Sequence, residues 1–100
     1  MKRQFFIAGV QFRPRGEIMV AAKELNEGDL LTLQPEPTNK YDPNAVQIRF
    51  KDVMLGYVPK KFSAMIAGYL TVESVTCKVL NIDIKRKTYE QLEVELTVED

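Results

Sequence analysis

The chain has 100 residues, which is the length of one globular domain. Apolar residues make up 45% and charged residues 28% of it, proportions that exclude a disordered or collagen-like chain. It has no histidine and a single cysteine, Cys77. These counts exclude a Ser-His-Asp triad, a histidine-ligated metal, a cysteine-rich zinc site and an intramolecular disulfide framework. We therefore expect no metal, no cofactor and no enzymatic activity.

Two features of the charge and hydropathy pattern concern location and partners. No run approaches about 18 apolar residues, and the N-terminus lacks a long apolar stretch, so we expect a cytoplasmic protein outside the membrane. Residues 88–100 contain five acidic side chains and no Lys or Arg, which leaves residues 1–87 with 14 basic and nine acidic side chains, a net charge of +5. A mildly basic body permits a polyanion site, and charged strand edges that maintain solubility explain the pattern equally well.

The first half of the chain contains strand signals separated by loops. Residues 5–12 are rich in aromatic and β-branched residues and predict a first, largely buried strand. Proline and glycine in residues 13–16 predict a loop that carries two arginines. Residues 17–25 have helical apolar spacing for about two turns only, so their structure stays open at this stage. Residues 30–34 predict a second strand, and a long polar stretch follows.

The second half has clearer periodicity. Residues 45–50 alternate apolar and polar side chains, Lys51-Asp52 is a tight connection, and residues 53–58 form the returning strand, so residues 45–58 predict a hairpin. Apolar residues at i, i+3, i+4, i+7 and i+8 predict a helix over about 60–70. In the strand predicted over 72–85 the apolar set changes face near Val79-Leu80, which indicates a bulge or a barrel corner.

Strict alternation over residues 92–98 predicts the last strand. About six strands and one principal helix indicate a mainly β protein, a small OB-like or SH3-like β-barrel formed by residues 1–100 as a single domain.

The segment Asn39-Lys40-Tyr41-Asp42-Pro43-Asn44-Ala45-Val46 has two interpretations. Asn, Asp and Pro are turn residues, Asp42 can cap backbone N–H groups, and Tyr41 can pack over the core. The polar stretch is nevertheless about ten residues long, and loops longer than their connection requires often bind a ligand.

Three blocks of sequence together resemble the HIRAN domain family. They are Gly9-Val10-Gln11-Phe12, the segment 39–46, and Gly56-Tyr57-Val58-Pro59-Lys60, and the resemblance extends over roughly residues 4–98. The family is best known as an N-terminal module of DNA-repair motor ATPases, and this chain is most similar to its stand-alone bacterial- or phage-type members. The resemblance implies an OB-like barrel and, as in the characterised eukaryotic member, capture of the free 3′ end of single-stranded DNA.

The resemblance also implies roles for individual residues. Asn39 and Asp42 correspond to a polar pair that hydrogen-bonds the terminal sugar. Phe12 and Tyr41 correspond to aromatic residues that flank the terminal bases, and Tyr57 and Lys60 to positions near the phosphates. Two positions depart from the pattern: Gln11 replaces a basic residue, and Arg13 replaces a further aromatic, where a guanidinium can stack on a base or pair with phosphate. The expected nucleic-acid-binding residues are thus Phe12, Arg13, Asn39, Tyr41, Asp42, Tyr57 and Lys60.

The sequence leaves two functional hypotheses. The first is a module that captures single-stranded DNA 3′ ends in repair or replication, with a helicase, a nuclease or another repair protein as a possible partner. The alternative is a protein-interaction domain that uses the barrel edge or the acidic last strand. The basic run Lys85-Arg86-Lys87 is interpreted as a solvated hairpin tip.

Overall fold

The computed structural model describes residues 1–99 and contains six strands, two α-helices and two 3₁₀ helices. Asp100, counted above with the acidic residues, lies outside the described residues. The strands are β1 (Lys2–Phe6), β2 (Leu30–Pro35), β3 (Val46–Phe50), β4 (Val53–Tyr57), β5 (Ser74–Ile82) and β6 (Leu92–Glu99). The α-helices are α1 (Arg15–Glu24) and α2 (Lys60–Leu70), and the 3₁₀ helices span Val10–Phe12 and Thr88–Glu90.

The six strands form one antiparallel sheet in the order β1-β6-β5-β2-β3-β4. The sheet curls until the chain just after β1 meets the end of β4. There the Ala8 N–H donates to the Tyr57 carbonyl at 2.9 Å, and the Tyr57 N–H donates to the Ala8 carbonyl at 2.8 Å. The architecture is a curled half-barrel, which confirms the predicted mainly β, barrel-like fold.

The strand predicted over residues 5–12 is wrong in its second part. Strand β1 ends at Phe6, and Gly9, with a φ of 76°, begins the 3₁₀ helix Val10–Phe12. Apolar composition cannot distinguish a buried strand from a buried turn, and only the left-handed conformation of Gly9 separates the two here. The residues left open, 17–25, belong mostly to α1, so the fold has a second α-helix beside the principal one.

The later elements agree more closely with their predictions. The hairpin β3–β4 and the helix over 60–70 are confirmed. The β5–β6 register shifts between Val79 and Asn81, which is the bulge predicted from the change of apolar face. Strand β5 starts later and ends earlier than the predicted 72–85. At its end the Asp83 carboxylate accepts the Lys85 N–H at 3.0 Å and turns the chain.

Helix α2 covers the core beside the end of β4. Its Ile66 is fully buried, and the ring of Phe62 packs against that of Phe5 with 5.6 Å between centroids. Ser63, one residue after Phe62, is also buried. The start of α2 thereby lies next to the loop that joins β2 and β3, and the two together form one side of the site described below.

Within residues 1–99, no helix combines the length and the apolar character needed to cross a membrane.

Candidate functional site

The loop between β2 and β3 is ordered by its own hydrogen bonds. The Asn39 Oδ1 accepts the backbone N–H groups of Tyr41 at 2.8 Å and Asp42 at 2.9 Å, and the Ala45 N–H donates to the Asp42 carbonyl at 3.0 Å. At the base of the loop the Glu36 N–H donates to the Ala45 carbonyl at 2.8 Å. The turn chemistry expected from the sequence is therefore present, and it holds Tyr41 and Asp42 in fixed positions.

This loop forms one wall of a cavity of about 450 Å³. The other walls come from the 3₁₀ helix after β1, the end of β4 and the start of α2. All seven residues expected from the sequence to bind nucleic acid line this cavity, although they come from four separate parts of the chain. The lining consists of Ala8, Gly9, Phe12, Arg13, Asn39, Tyr41, Asp42, Ala45, Tyr57, Val58 and Lys60.

Two aromatic side chains at the cavity extend into solvent. Phe12 is 82% exposed and Tyr41 is 88% exposed. Neither ring packs over the core, which was the structural alternative for Tyr41. An exposed pair of rings beside a cavity provides flat apolar faces on which planar groups such as nucleic-acid bases can stack.

Asp42 is held on both oxygens. Its Oδ1 accepts the Asn44 N–H at 2.9 Å, and its Oδ2 accepts the Ser63 hydroxyl at 2.6 Å. These two bonds, with the Ser63 bond the larger cause, lower the pKa of the Asp42 carboxyl below its ordinary value of 3.8, and the nearby Lys60 adds to the effect. At neutral pH the carboxylate is a pure acceptor, and a carboxylate has about four lone-pair positions, so about two remain for a ligand.

Glu36 lies behind the cavity wall and accepts three side-chain donors. They are the Tyr57 hydroxyl at 3.0 Å, the Asn39 Nδ2 at 2.9 Å and the Gln47 Nε2. The Gln47 bond is the largest of the causes that lower the pKa of Glu36. The pKa of Tyr57 is raised above its ordinary value. Burial is the largest cause, and the hydrogen bond to Glu36 and the negative charge of Glu36 come next.

The Glu36 bonds determine what two of the expected residues can still offer. The single hydroxyl proton of Tyr57 is directed at Glu36, so this phenol has no proton left to donate to a phosphate. The Asn39 Oδ1 already accepts two backbone N–H groups, so Asn39 can offer a ligand only its second Nδ2 hydrogen. Both side chains thus serve first to shape the site.

Two cations at the cavity remain available to an anion. The Arg13 Nε donates to the Met54 carbonyl at 3.3 Å, which anchors the guanidinium and leaves both Nη groups with donors to spare. Lys60 is exposed at the first turn of α2. Within residues 1–99 neither Arg13 nor Lys60 forms an ion pair within 4.0 Å.

Sequence reasoning missed Glu36 and Ser63. Glu36 stands between two prolines in a segment that indicates only a loop, and nothing local marks its distant partners. For Ser63 a signal existed: it is a polar residue three positions before the buried Ile66, on the inward face of a helix. Buried polar side chains require a hydrogen-bond partner, and here that partner is Asp42.

The other candidates lie apart from this cavity. The hairpin-tip interpretation of the basic run is consistent with Arg86, whose Nε pairs with Asp83 at 3.3 Å. A second cavity of about 360 Å³ lies between α1 and the end of β5 and contains none of the expected site residues. Residues 1–99 contain no cluster of three or more side chains suited to a metal ion.

Comparison with known proteins adds a family and a fold. The family model described as "HIRAN domain" matches residues 2–99. A Fanconi-associated nuclease 1 homolog from Oryza sativa subsp. japonica is 26% identical over 77 residues, covering 73% of this chain and 8% of the nuclease homolog. The chain thus corresponds to a small part of that relative.

Two solved structures share the fold. The HIRAN domain of human HLTF superposes with a TM-score of 0.73 at 15% identity, over 97% of this chain and 74% of that one. A protein from Lactobacillus plantarum superposes with a TM-score of 0.78 at 19% identity, over the full length of both chains.

Proposed function

The chain belongs to the HIRAN domain family, and from that membership and the chemistry of its cavity we propose that it captures the 3′ end of single-stranded DNA. A DNA-related binding role agrees with the relatives, one of which is named as a nuclease homolog. The proposed role is binding; any cutting or remodelling of the DNA belongs to a partner such as a helicase or nuclease acting in repair or replication.

The observation that carries the proposal is the position of Asp42 beside two exposed aromatic rings. An ionised carboxylate accepts a hydrogen bond from a hydroxyl and repels a phosphate, so it can distinguish a 3′-hydroxyl end from a phosphorylated one. Phe12 and Tyr41 line the same cavity and offer faces for the terminal bases. Stacking of this kind is tolerant of base sequence, which suits recognition of an end rather than of a motif.

The available cations complete the proposed site. Arg13 and Lys60 line the cavity together with Asp42. In a strand that ends at Asp42, the phosphates preceding the terminal nucleotide would meet these cations. Because only two cations face the cavity, we expect a shallow salt dependence.

Binding of short oligonucleotides, measured by fluorescence anisotropy at two salt concentrations, tests the proposal. The probes are a strand with a 3′-hydroxyl, the same strand with a 3′-phosphate, and a strand whose 3′ end is blocked in a hairpin. We expect the protein to prefer the 3′-hydroxyl. Asp42→Ala should abolish that preference by removing both the hydrogen bond and the repulsion, a change of roughly one to two decades in relative affinity.

Three further variants separate the roles of the other side chains. Phe12→Ala and Tyr41→Ala should weaken binding of all single strands alike, since stacking ignores the terminal group. Lys60→Ala should flatten the salt dependence by about one phosphate contact. Asp52→Ala, which removes an exposed carboxylate at the β3–β4 turn, is the matched control and should bind like the wild type. A wild-type protein that shows no preference for a 3′-hydroxyl end would refute the proposal.

The alternative of a protein-interaction domain that uses the acidic last strand has less support. Strand β6 lies between β1 and β5, so its backbone is paired on both sides and is not an exposed edge. Its Glu95 is buried and accepts the Gln4 amide at 3.0 Å, with Lys2 and Lys78 beside it at 3.9 and 3.8 Å. This acidic side chain is thus engaged within the sheet.

A further inference from the structure

Ser63 is a buried polar side chain on α2 that faces the candidate site from outside the loop. It is 2% exposed, and its hydroxyl lies 2.6 Å from the Asp42 Oδ2. That length falls in the range of about 2.5–2.7 Å for a hydroxyl bonded to a carboxylate, which is among the strong hydrogen bonds of proteins. The contact spans 21 positions in the sequence, so it joins α2 to the loop rather than stabilising either one locally.

The proton of Ser63 has two possible acceptors. The Lys60 carbonyl, one helical turn earlier, is 3.0 Å away, whereas the Asp42 carboxylate is nearer and ionised. A single hydroxyl proton favours the shorter, charge-assisted bond. The Lys60 carbonyl is also an ordinary acceptor within α2, so it does not need the hydroxyl.

Together Ser63 and the Asn44 N–H bind one oxygen each of the Asp42 carboxylate. The Asn44 bond comes from within the loop and moves with it. The Ser63 bond comes from a helix whose Ile66 is anchored in the core, so it sets the direction of the carboxylate relative to the rest of the cavity. Rotation of the carboxylate would break one of the two bonds.

We propose that Ser63 is a positioning residue that fixes the Asp42 carboxylate for recognition of the 3′-hydroxyl and so sets the selectivity of the site for the end of the strand. Ser63 acts through Asp42. The inference rests on the proposed function for its DNA readout, while the contact between the two side chains is tested without DNA.

The variant Ser63→Ala suits the test because it removes only the hydroxyl oxygen. Alanine is the best helix former, so α2 retains its propensity, and the small side chain leaves little empty volume. Ser74→Ala, at the exposed start of β5, is the matched control. If Ser63→Ala loses cooperative unfolding, Ser63→Cys replaces it, since a thiol has nearly the same shape and is a weak donor.

The first measurement is the pKa of Asp42, which is obtained by monitoring its carboxyl ¹³C chemical shift as a function of pH. In the wild type the pKa lies below the ordinary value of 3.8, with the Ser63 bond as the largest cause. In Ser63→Ala it should rise toward that value, and in Ser74→Ala it should not move. An unchanged Asp42 pKa in a folded Ser63→Ala protein would overturn the inference, whatever the result with DNA.

The second measurement is the ratio of affinities for 3′-hydroxyl and 3′-phosphate strands. Ser63→Ala should lower this ratio by about tenfold, the weight of one charge-assisted hydrogen bond, with a smaller change in the affinity for the 3′-phosphate strand. A loss of packing alone would weaken both strands equally, and that result also refutes the positioning role. If the wild type binds no single strand, the proposed function and the selectivity role both fail, and the Asp42 pKa still decides whether Ser63 holds the carboxylate.

Discussion

Glu36 illustrates how a single side chain outside the cavity can determine what its lining offers. Its carboxylate accepts bonds from Tyr57, Asn39 and Gln47, which belong to β4, the loop and β3. One charge thereby orients groups from three elements. If a neutral side chain replaced Glu36, the same donors would bind it more weakly, since hydrogen bonds to an ionised acceptor are about twice as strong as those between neutral groups.

The variant Glu36→Gln tests this role. It preserves shape, removes the charge and turns one acceptor into a donor. Because Glu36 contributes to the raised pKa of Tyr57, the pKa should move down toward the ordinary value of 10.0 while burial still holds it above. NMR titration of the Tyr57 ring measures the shift, with Glu17→Gln on the exposed side of α1 as control. A Tyr57 pKa that stays at its wild-type value would show that Glu36 does not hold the phenol.

Closure of the sheet between the end of β1 and β4 depends on a glycine. A Cβ at Gly56 would lie 2.3 Å from the Ala8 carbonyl oxygen and 2.7 Å from the Ile7 Cγ2. The first neighbour is backbone and cannot move aside without displacing the Ala8–Tyr57 pair. The same closure places Gly9 and Phe12 at the cavity, so the fold and the site share this contact.

We expect Gly56→Ala to destabilise the protein by roughly 1–3 kcal/mol or more, the usual cost of forcing atoms into a packed interior. Urea denaturation monitored by circular dichroism measures this loss of stability. Gly68→Ala is the matched control, because Gly68 lies in α2 and the added Cβ would meet no atom within 4 Å other than its chain neighbours and the nearby backbone of its own helix. That change should stabilise the protein by about 0.5–1 kcal/mol, the difference between Gly and Ala in a helix. Equal effects of the two variants would contradict the close approach at Gly56.

The elements divide into those that local pattern predicts and those that it does not. Helix α2 and strand β6 follow the periodicity of their own residues, and the bulge in β5 follows from the change of face near Val79. The first segment failed because apolar residues are buried on both sides of the turn at Gly9, Ile7 before it and Val10 after it. Burial there reflects the closure with β4, which is set by residues some 50 positions away.

At the scale of the molecule, stability should fall in acid. Glu36, Asp42 and Glu95 all have a lowered pKa in the folded state, with side-chain hydrogen bonds from Gln47, Ser63 and Gln4 as the respective leading causes. A carboxyl whose pKa is lower when folded binds fewer protons in the folded than in the unfolded chain. Its contribution is complete above the ordinary values of 4.5 for Glu and 3.8 for Asp, and is lost as the pH falls through the folded values.

We therefore expect the free energy of unfolding to be flat between pH 7 and about 5.5 with respect to these groups, and to decrease steadily below about pH 4.5. Urea denaturation across this range measures it. In Glu95→Gln the free energy of unfolding should decrease less steeply below about pH 4.5, because one of the three groups then no longer titrates. A stability that rises as the pH falls below 4.5 would contradict the lowered pKa values.

The sequence by itself determined the elements whose signal is carried within about ten residues: the hairpin β3–β4, helix α2, strand β6 and the turn chemistry around Asn39. The three sequence blocks, with Arg13 beside the first of them, also identified seven residues that line one cavity. Only the tertiary structure decided how those residues are held, because the bonds of Glu36 to Tyr57 and of Ser63 to Asp42 each span 21 positions. Such contacts form when β2, β3, β4 and the start of α2 pack together, and that packing brings together residues far apart in the chain rather than following any local period.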